Sequence, residues 1–579
     1  METNGLDPDV IHCLITKDID KADDNITTYT SNWRDALPVL LEADEIIGHN
    51  IIDFDIPVIQ KFEPDFKPKS ASVLDTLVWA RLVAPDISRR DFDKKDLPPR
   101  LNGSHSLKAW GLRLDKLKGD FEGPWDILTE EMLEYAVQDV HVTHALHDYL
   151  ASKKFSKKSI ALEHAVHRIC SAQEHHGFLF DKDKAWNLAT SLEEQREKLE
   201  KELQEIFPPY EVRTPFMPKA TNSKYGYVKG EMTEKVTTVT FNPQSRHHIA
   251  NRLKHKYRWK PKEHTPNGQP KIDETILQSL NYPEAKKLAD YFLVAKRIAA
   301  LSEGRQAWLS NVKGDNRIHG RVLVNGAVTG RATHRNPNMA QIPSCRVPFG
   351  KECRELFTVP EGKVLVGSDV SGLELRVLAH FMHPIDKGAY AKAILEGDIH
   401  TFNQQKAGLE TRDQAKTFIY ALIFSAGAEK LGQIVGGTRA TGAKLKKRFF
   451  KELPALDSFI TKVKQKAEDQ GYLTGLDGRL LKVRSPHSSP NLIIQSAGAL
   501  ICKRWLIEIN KEVHIQGLRD RCRQVAWVHD EVQWECDEDA GELFGELAVR
   551  SIKKAGDYFG IRTPLDAEYR IGRNWSETH

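Results

Sequence analysis

Long apolar runs, a leader sequence and paired cysteines are all lacking in this chain of 579 residues. No window approaches the ~18 uninterrupted apolar residues of a membrane span, and the N-terminus lacks the basic and then apolar pattern of a signal peptide. The seven cysteines form no CxxC pair and are odd in number, so neither a zinc site nor a disulfide framework is indicated. These absences predict a cytoplasmic protein whose cysteines are reduced and structural.

A large excess of one charge is also lacking, because 84 Lys and Arg and 80 Asp and Glu leave a net charge of only +4. This excess does not by itself argue for nucleic acid, but eight Lys and Arg and one acid lie between Arg246 and Lys271. With 40% apolar and 28% charged residues, the chain is typical of a globular protein, with length for roughly four domains.

The pattern of apolar residues divides the chain into three parts. Residues 1–150 alternate β-like runs such as EIIGHNIIDFDIPVI with helical stretches such as EEMLEYAVQDVHVTHALHDYLA, which predicts an α/β unit. Residues 155–205 are charged and helical, and an irregular Pro- and Lys-rich segment is expected from there to TFNPQSR. The remainder mixes strands with helices and predicts α+β construction.

Two acidic strand tips are the first candidate site. The segment KVLVGSDVSGLELRVLAHF predicts a buried strand that ends near Asp369 and leads into a helix, and QVAWVHDEVQWE predicts two strands that meet at Asp530 and Glu531. Adjacent in one sheet, such tips could hold two Mg²⁺ ions ~3.5–4 Å apart for an in-line phosphoryl transfer. Either tip alone would more often be a solvated acidic turn.

A four-residue repeat marks the second candidate site. Arg412, Lys416, Tyr420 and Phe424 recur in RDQAKTFIYALIFSAG, and this spacing places them on one helix face. A guanidinium and an ammonium one turn apart suit a triphosphate, while the aromatic rings suit a base and a sugar. His400 in GDIHTFNQ would be a third phosphate contact. The alternatives are a solvated basic helix edge and a structural histidine.

A second repeat joins His487, Asn491 and Gln495 on the predicted helix SPNLIIQSAGALI, and Arg331 lies in AVTGRATHRNPNMAQIP. Every base pair presents N3 or O2 acceptors in the minor groove, so donors of this kind can test pair geometry without reading sequence. Taken singly, these residues would more often be helix caps or core hydrogen bonds.

The motifs SDVSGLELR, RDQAKTFIY and VHDEV resemble, in order, motifs A, B and C of the family A DNA polymerases, the DNA polymerase I family. The segments TGRATHRNPNMAQIP, GDIHTFNQ, GLDGRLLKVRSPH and NLIIQSAGALICK match as well, most closely in the replicative polymerases of podovirus-type phages. The resemblance covers nearly the whole chain. It implies a right-hand α+β polymerase with palm, fingers and thumb, which extends a primer during phage DNA replication in the host cytoplasm.

The resemblance also implies a role for each motif residue. Asp369 and Asp530, with the carbonyl of Val370, are expected to hold two Mg²⁺ ions, which Mn²⁺ could replace, and Glu531 is the acidic neighbour. The positions implied for binding the incoming dNTP are His400, Arg412, Lys416, Tyr420 and Glu374. Glu374 is expected to crowd the 2′ carbon of the sugar, which would exclude ribonucleotides. Positions implied for primer-template DNA are Arg331, His487, Asn491, Gln495 and His529, with Phe424 seating the template base.

Domain bounds follow from the same motif order. We expect a 3′-5′ exonuclease-like domain at 1–150, thumb and connecting helices at 151–304, the first part of the palm at 305–379, the fingers at 380–484 and the second part of the palm at 485–579. The basic run 246–271 would then lie on the thumb and neutralise DNA phosphates, which makes binding salt-sensitive and independent of sequence. A monomer is expected, with a replicative helicase and a single-strand binding protein as further partners.

Two features depart from the family pattern. Most relatives carry Tyr-Gly where this chain has Phe424-Ser425, so the seating of the templating base and the fidelity are expected to differ. The phage enzymes that recruit thioredoxin carry a long thumb insertion, whereas only 32 residues, Pro208 to Val239, separate the thumb helix from TFNPQSR here. Thioredoxin is therefore not expected to bind.

Residues 1–150 resemble the DEDD superfamily of 3′→5′ proofreading nucleases, which place four carboxylates around two metals. Glu2, Asp55 and Asp139 match three of the four, and Tyr135 matches the residue that positions the attacking water. The first aspartate, with most of a central first strand, would precede Met1. Either a start codon assigned too far downstream or a domain that has lost proofreading accounts for this, and both predict weak or absent excision by the 579-residue chain.

Two alternatives to a DNA polymerase are a single-subunit RNA polymerase, which shares the palm aspartates, and a catalytically silent DNA-binding scaffold. Glu374 favours DNA synthesis over RNA synthesis. The silent scaffold predicts degraded metal positions, whereas Asp369, Asp530 and the pair Arg412 and Lys416 are all present.

Overall fold

The computed structural model describes residues 1–5, 7–21, 25–69, 72–92, 96–116, 119 and 121–579. They form two units: Met1–Phe178, His319–Ile342 and Thr358–His579 make the first, and Leu179–Ile318 and Pro343–Phe357 the second. Every helix among the described residues is too short or too polar to span a bilayer. All seven cysteines are free.

The N-terminal part of the first unit is a mixed α/β region. Its helices and strands are β1 (Glu2–Thr3), β2 (Ile11–Lys17), β3 (Ile26–Tyr29), α1 (Ala36–Glu42), β4 (Ile46–Gly48), α2 (Asp55–Phe62), β5 (Val73–Asp75), α3 (Thr76–Val83), α4 (Ile87–Asp91), α5 (Leu107–Arg113), α6 (Glu130–Ser152) and α7 (Lys157–His176). Strands β1, β2 and β3 form an antiparallel sheet with β2 in the middle, and β4 pairs with β5 in parallel.

The β-like run around EIIGHNIIDFDIPVI becomes a strand only at β4, and its second half forms helix α2. Asn50 adopts a positive φ of 65°, and the buried carboxylate of Asp75 accepts hydrogen bonds from the backbone N–H groups of Asn50 and Ile52 at 2.9 and 3.2 Å. The side chain of a distant strand end therefore turns the chain where local periodicity predicts a continuous strand.

The second unit is mainly helical. Its elements up to Ile318 are β6 (Phe178–Phe180), α8 (Lys182–Ile206), β7 (Tyr210–Phe216), β8 (Thr233–Val239), α9 (Arg246–Tyr257), α10 (Glu274–Gln278), α11 (Pro283–Leu301), α12 (Trp308–Asn311) and β9 (Arg317–Ile318). The predicted long helices are present as α8 and α11, which pack on a shared apolar core. The segment expected to be irregular instead forms the antiparallel hairpin β7–β8, whose strands pair although most of their side chains are exposed.

The rest of the chain contains the remaining elements, mostly in the first unit. They are β10 (Arg321–Leu323), β11 (Thr333–Arg335), α13 (Gly350–Glu355), β12 (Phe357–Thr358), β13 (Lys363–Val370), α14 (Leu373–Asp386), α15 (Ala389–Glu396), α16 (Ile399–Ala407), α17 (Arg412–Ile423), α18 (Ala428–Gln433), α19 (Arg439–Glu452), α20 (Pro454–Gln470), β14 (Tyr472–Thr474), β15 (Leu480–Lys482), α21 (Ser489–Ile515), β16 (Cys522–Val528), β17 (Glu531–Asp537), α22 (Gly541–Tyr558) and β18 (Ala567–Gly572).

A four-stranded antiparallel sheet in the order β16-β17-β13-β18 is the centre of this part. Both predicted acidic segments form strands of this sheet. Strand β13 is apolar and buried at Leu365 and Val366, and Gly372 in the left-handed region at φ 59° turns it into α14. A residue with a Cβ is disfavoured in that conformation. The predicted fingers helix is α17, which begins with a capping box between Thr411 and Gln414.

A buried charge network joins α7, the β14–β15 hairpin and α21 within the first unit. It consists of Glu163, Asp477, Arg479 and Lys503, all at most 4% exposed. Arg479 Nη2 lies 2.7 Å from Glu163 Oε1 and 2.7 Å from Asp477 Oδ2, and Lys503 Nζ lies 2.5 Å from Glu163 Oε1. Two acids and two bases balance each other, so the network stabilises the packing of these elements only while it stays complete.

Candidate active site

The register of the central sheet brings the two acidic tips together. Asp369 near the end of β13 lies directly opposite Glu531, the first residue of β17. Asp530 is in the turn before β17, and its backbone carbonyl accepts a hydrogen bond from the N–H of Val370 at 3.0 Å. The adjacency predicted for the strand tips is therefore confirmed for Asp369, Asp530 and Glu531.

The carboxylates at these tips share a site whose negative charge is only partly compensated. Burial, with Asp530 and Glu531 nearby, raises the pKa of Asp369 to about 7. Burial and the neighbouring Glu374 raise the pKa of Asp530 to about 6, although Arg331 opposes this shift. Like charges held this closely favour the binding of a cation or a proton.

Glu531 has partners that sequence reasoning missed. Its Oε1 accepts hydrogen bonds from Trp575 Nε1 and, at 2.8 Å, from Gln533 Nε2, and its Oε2 lies 3.0 Å from His579 Nδ1. One ligand atom from each of Asp369, Glu531 and His579 lies within 4.8 Å of the others. No local pattern singles out the segment with Trp575 and His579, because only the fold brings it to the acidic tips.

A small cavity of about 20 Å³ beside the acidic tips gathers several of the predicted DNA contacts. Its lining includes Arg331, Glu374, Gln495, His529 and Asp530. Burial and the positive charge of Arg331 lower the pKa of His529 to about 4, so this imidazole is neutral at physiological pH. A neutral ring and an arginine beside the acidic tips suit contacts with a strand end.

The predicted triphosphate contacts form one cationic group at the start of α17. Burial, then Arg412 and Lys416, lower the pKa of His400. Arg412 is not free, because its Nη2 donates to Asp398 Oδ1 at 3.2 Å and its Nε donates to the other oxygen at 2.5 Å. Among the residues that the structure describes, Lys416 makes no ion pair. Asp398 is a further residue that the helix repeat could not reveal.

The aromatic end of α17 points towards the acidic tips. Burial, and then the charges of Glu374, Asp530 and Asp369, raise the pKa of Tyr420 to about 12. The helix ends at Ile423, so Phe424 lies just beyond it and continues the predicted helix face only in part. The Phe424 side chain is 41% exposed, and its ring centre lies 6.4 Å from that of Tyr420. Ser425 follows in the left-handed region at φ 61°.

The predicted ladder of DNA contacts is also only partly helical. His487 lies in a 3₁₀ turn, Pro486–Ser488, because Pro490 at the start of α21 marks where the helix begins. His487 is exposed, whereas Asn491 and Gln495 are half-buried on α21. The buried Oδ1 of Asn491 accepts no hydrogen bond from any described residue.

The predicted exonuclease residues lie in the N-terminal part of the first unit. Glu2 pairs with Cys13 in the sheet, so β1 is a two-residue edge strand beside β2. Burial, with Asp75 and Asp139 nearby, raises the pKa of Asp55, and the Met1 amino group lies 3.8 Å from its Oδ1. Tyr135 and Asp139 are one turn apart on α6. The electrostatic coupling of Asp55 and Asp139 fits a shared site, and the weak excision expected for it stays a prediction.

A sheet with paired acidic tips beside a helix bearing Arg412 and Lys416 is the arrangement of a nucleotidyl-transferring polymerase. Comparison with known families agrees: residues 217–577 match the description "DNA polymerase family A", and residues 2–154 match "3'-5' exonuclease". The chain therefore belongs to DNA polymerase family A. It is a DNA-directed DNA polymerase with an N-terminal exonuclease domain, so the alternatives of an RNA polymerase and a silent scaffold are set aside.

Two phage enzymes are similar along the whole chain. The DNA-directed DNA polymerase of Escherichia phage T7 is 34% identical over 100% of this chain and 99% of its own length, and that of Enterobacteria phage T3 is 35% identical over 92% of each. Among solved structures, the chain resembles the "POL domain of Pol1 from M. smegmatis complex with DNA primer-template and dNTP" with a TM-score of 0.76, at 19% identity over 98% of this chain and 93% of that one.

Proposed function

We propose that this polymerase extends a DNA primer by nucleotidyl transfer with two divalent cations. The proposed ligands of these cations are the carboxylates of Asp369 and Asp530 and the backbone carbonyl of Val370. The observation that carries the proposal is the cluster of unbalanced negative charge at the strand tips, where the pKa values of both aspartates are raised. The solved complex with primer-template and dNTP supports the same substrates for this chain.

The residues present fit Mg²⁺, with Mn²⁺ as a substitute. Carboxylate and carbonyl oxygens are the ligands that Mg²⁺ prefers. The pKa values of Asp369 and Asp530 are raised although His579 and Arg331 oppose the two shifts, so these bases do not balance the acids. When bound, the two ions neutralise charge on the transferring phosphate and activate the primer hydroxyl. Glu531, held by Trp575 and Gln533, is proposed to keep the local charge negative and to fix the edge of the site.

The cationic group at the start of α17 is proposed to orient the triphosphate. Lys416 is available at once, and Arg412 exchanges Asp398 for phosphate oxygens, which accept the same bidentate pattern. The imidazole of His400 completes the group. This alignment would place the α-phosphorus near Asp369 and the primer 3′ hydroxyl. The hydroxyl oxygen forms the new P–O bond as the bond from the α-phosphorus to the bridging oxygen breaks, pyrophosphate departs, and the hydroxyl proton passes to water.

The remaining predicted contacts are proposed to check the geometry of the new base pair. Arg331, Gln495 and His529 line the cavity beside the tips. The Oδ1 atom of Asn491, which has no hydrogen-bond donor among the described residues, could accept a hydrogen bond from the DNA. Contacts to groups common to all base pairs give indifference to sequence. Phe424, exposed beyond Tyr420, is proposed to seat the template base.

Primer extension with Mg²⁺ tests the assignment. We expect template-directed addition of dNTPs that is lost on chelation and restored by Mg²⁺. Extension that persists in excess chelator would contradict the metal-binding role.

Ribonucleotides are expected to be rejected by the unaltered enzyme and admitted by Glu374→Ala. Equal rejection by both would remove Glu374 from sugar selection.

The N-terminal domain is proposed to remove nucleotides from primer 3′ ends through Glu2, Asp55 and Asp139, with Tyr135 positioning the attacking water. The coupling of Asp55 and Asp139 and the family match of residues 2–154 support this. Mismatched primer ends provide the test, since whatever excision the chain performs is expected to vanish in Asp139→Ala. Equal excision by both proteins would mean that another centre is responsible.

A further inference from the structure

A cavity of about 490 Å³ in the first unit contains none of the residues assigned above. We call it the junction cavity. It lies between α3, the loop before α5 and the β10–β11 strands, and its charged lining is Arg81, Arg321 and Arg335. The first comes from the exonuclease domain, and the other two lie opposite each other in the β10–β11 pair.

The positive charges of the junction cavity are poorly balanced. Among the described residues, neither Arg81 nor Arg335 makes an ion pair or a side-chain hydrogen bond. Arg321 Nη2 lies 2.8 Å from Asp53 Oδ2 and its Nε lies 3.9 Å from Glu174 Oε2, so its charge is matched, although Asp53 is shared with His167 Nε2 at 3.1 Å. Partly buried guanidinium groups without an ion pair are costly, and a phosphate relieves that cost through bidentate hydrogen bonds.

The pKa of Arg81 agrees with this geometry. Burial, and next the charges of Arg335 and Arg321, lower it to about 10, and the carboxylates of Asp75 and Asp53 only partly oppose the shift. Burial, and next the same neighbour Arg321, lower the pKa of Arg335, and Glu174 and Asp53 partly oppose this shift. These shifts agree with the placement of the three guanidinium groups around one cavity.

The rest of the lining suits more than a bare anion. Asn325 is only 4% exposed; its Nδ2 donates to the carbonyl of Val78 at 3.1 Å, and its Oδ1 accepts no hydrogen bond from the described residues. A hydroxyl or amino group of a ligand would satisfy that oxygen. Leu77 and Leu323 add apolar surface, and inorganic phosphate would use neither feature.

We propose that the junction cavity binds one nucleotide unit, with its phosphate on Arg81 and Arg335 beside Arg321, and its sugar or base against Asn325 and the apolar wall. The volume is in the range of pockets that enclose a small ligand, ~300–1,000 Å³. The unit is either a free nucleoside monophosphate or part of a single DNA strand, since both carry the same phosphate and sugar.

Calorimetric titration of the full chain in EDTA tests the proposal, because without divalent cations the carboxylate centres repel phosphate. The probes are thymidine 5′-monophosphate, thymidine, inorganic phosphate and a short oligothymidylate. Arg335→Ala is compared with Arg90→Ala, which removes an exposed arginine of α4 outside the cavity, and with Lys416→Ala, which alters the polymerase site. Primer extension by the arginine variants and the thermal unfolding of Lys416→Ala report correct folding, and Arg335→Gln replaces Arg335→Ala if the latter fails to fold.

Thymidine monophosphate is expected to bind, and Arg335→Ala is expected to weaken it at least about tenfold, the effect of losing a charged hydrogen-bond donor. The variants Arg90→Ala and Lys416→Ala should bind as the unaltered chain does. Without ligand, Arg335→Ala should melt at the same or a higher temperature, because one of three repelling charges is gone. An arginine with a merely structural role would instead lower the melting temperature.

The probes then identify the ligand. A stronger affinity for the oligothymidylate that depends equally on Arg335 assigns a DNA strand, and a stronger affinity for the monophosphate assigns a free nucleotide; both support the proposal. Equal binding of thymidine or of inorganic phosphate overturns it, as does the absence of binding. Equal losses in Arg335→Ala and Arg90→Ala, or a loss only in Lys416→Ala, overturn it as well.

Discussion

The acidic tips of the polymerase sheet and the buried charge network differ in how their charges are balanced. At the tips, burial and neighbouring acids raise the pKa values of Asp369 and Asp530 to about 7 and 6. In the network, Arg479 lowers the pKa of Asp477 although burial opposes this. Acids therefore outweigh bases at the tips, the proposed binding site, whereas acids and bases are matched in the network.

This contrast separates function from structure among buried charges. The same criterion, applied with the opposite sign, distinguishes the junction cavity, where Arg81 and Arg335 make no ion pair with any described residue. It also predicts opposite consequences of mutation, since removal of an acid should harm chemistry at the tips and stability in the network.

The largest expected effect is the loss of synthesis at the acidic tips. Asp369→Ala or Asp530→Ala should reduce primer extension by more than ~10³-fold, because metal-based stabilisation of the transition state is lost. Binding of primer-template, measured by anisotropy, should change little, and the free energy of unfolding in EDTA should not fall. Asp557→Ala, on the exposed side of α22, is the control. Substantial extension by either variant would refute the assignment.

The buried charge network should respond in the reverse way. Glu163→Ala leaves Arg479 and Lys503 without their shared acid and should lower the free energy of unfolding by about 3–5 kcal/mol. Urea titration measures this, with the exposed Glu468→Ala as control. Extension per folded molecule should remain close to that of the unaltered enzyme. A variant as stable as the control would show that the network is not balanced as described.

Stability in EDTA should depend on pH because of the acidic tips. Their folded-state pKa values lie above the ordinary 3.8, so between these values the folded protein binds more protons than the unfolded one. The contribution of these two groups to stability is therefore fully present below the ordinary value and is lost as the pH rises through about 7, by on the order of 1–3 kcal/mol.

Replacing Asp369 by Asn should flatten this part of the stability profile, which thermal unfolding at several pH values would measure. Saturating Mg²⁺ should offset the fall for the unaltered enzyme. A profile identical in the Asp369→Asn variant and the unaltered protein would indicate that the tips do not carry the excess charge inferred for them.

The smallest effect concerns Tyr420, whose hydroxyl faces the same unbalanced charge. In a nucleotide that lacks the 3′ hydroxyl, this group can supply the missing hydrogen bond, so dideoxynucleotides should be incorporated readily. Tyr420→Phe should raise discrimination against them at least ~10-fold, measured by competition with the normal nucleotide. Tyr472→Phe on β14 is the control, and equal discrimination by Tyr420→Phe and the unaltered enzyme would exclude this role.

Much of the polymerase site was predictable because its signals are local. A buried strand ending at Asp369, two strands meeting at Asp530, and a helix with Arg412 and Lys416 one turn apart each depend on periodicities of two or four residues. Family resemblance added the roles of these residues, which still await the experiments above. Local signals were weaker where a side chain from elsewhere redirected the chain, as Asp75 does at Asn50.

The sequence by itself determined the family, the principal strands and helices, and the motif residues, because these depend on order and spacing along one segment. Only the tertiary structure decided which distant groups meet: His579 with Glu531 and Asp369, Asp398 with Arg412, Glu163 with Arg479 and Lys503, and three arginines around the junction cavity. These contacts depend on strand register and helix packing, which local sequence patterns do not specify. Charged groups interact strongly, whether they balance or repel each other, only when folding brings them together away from water.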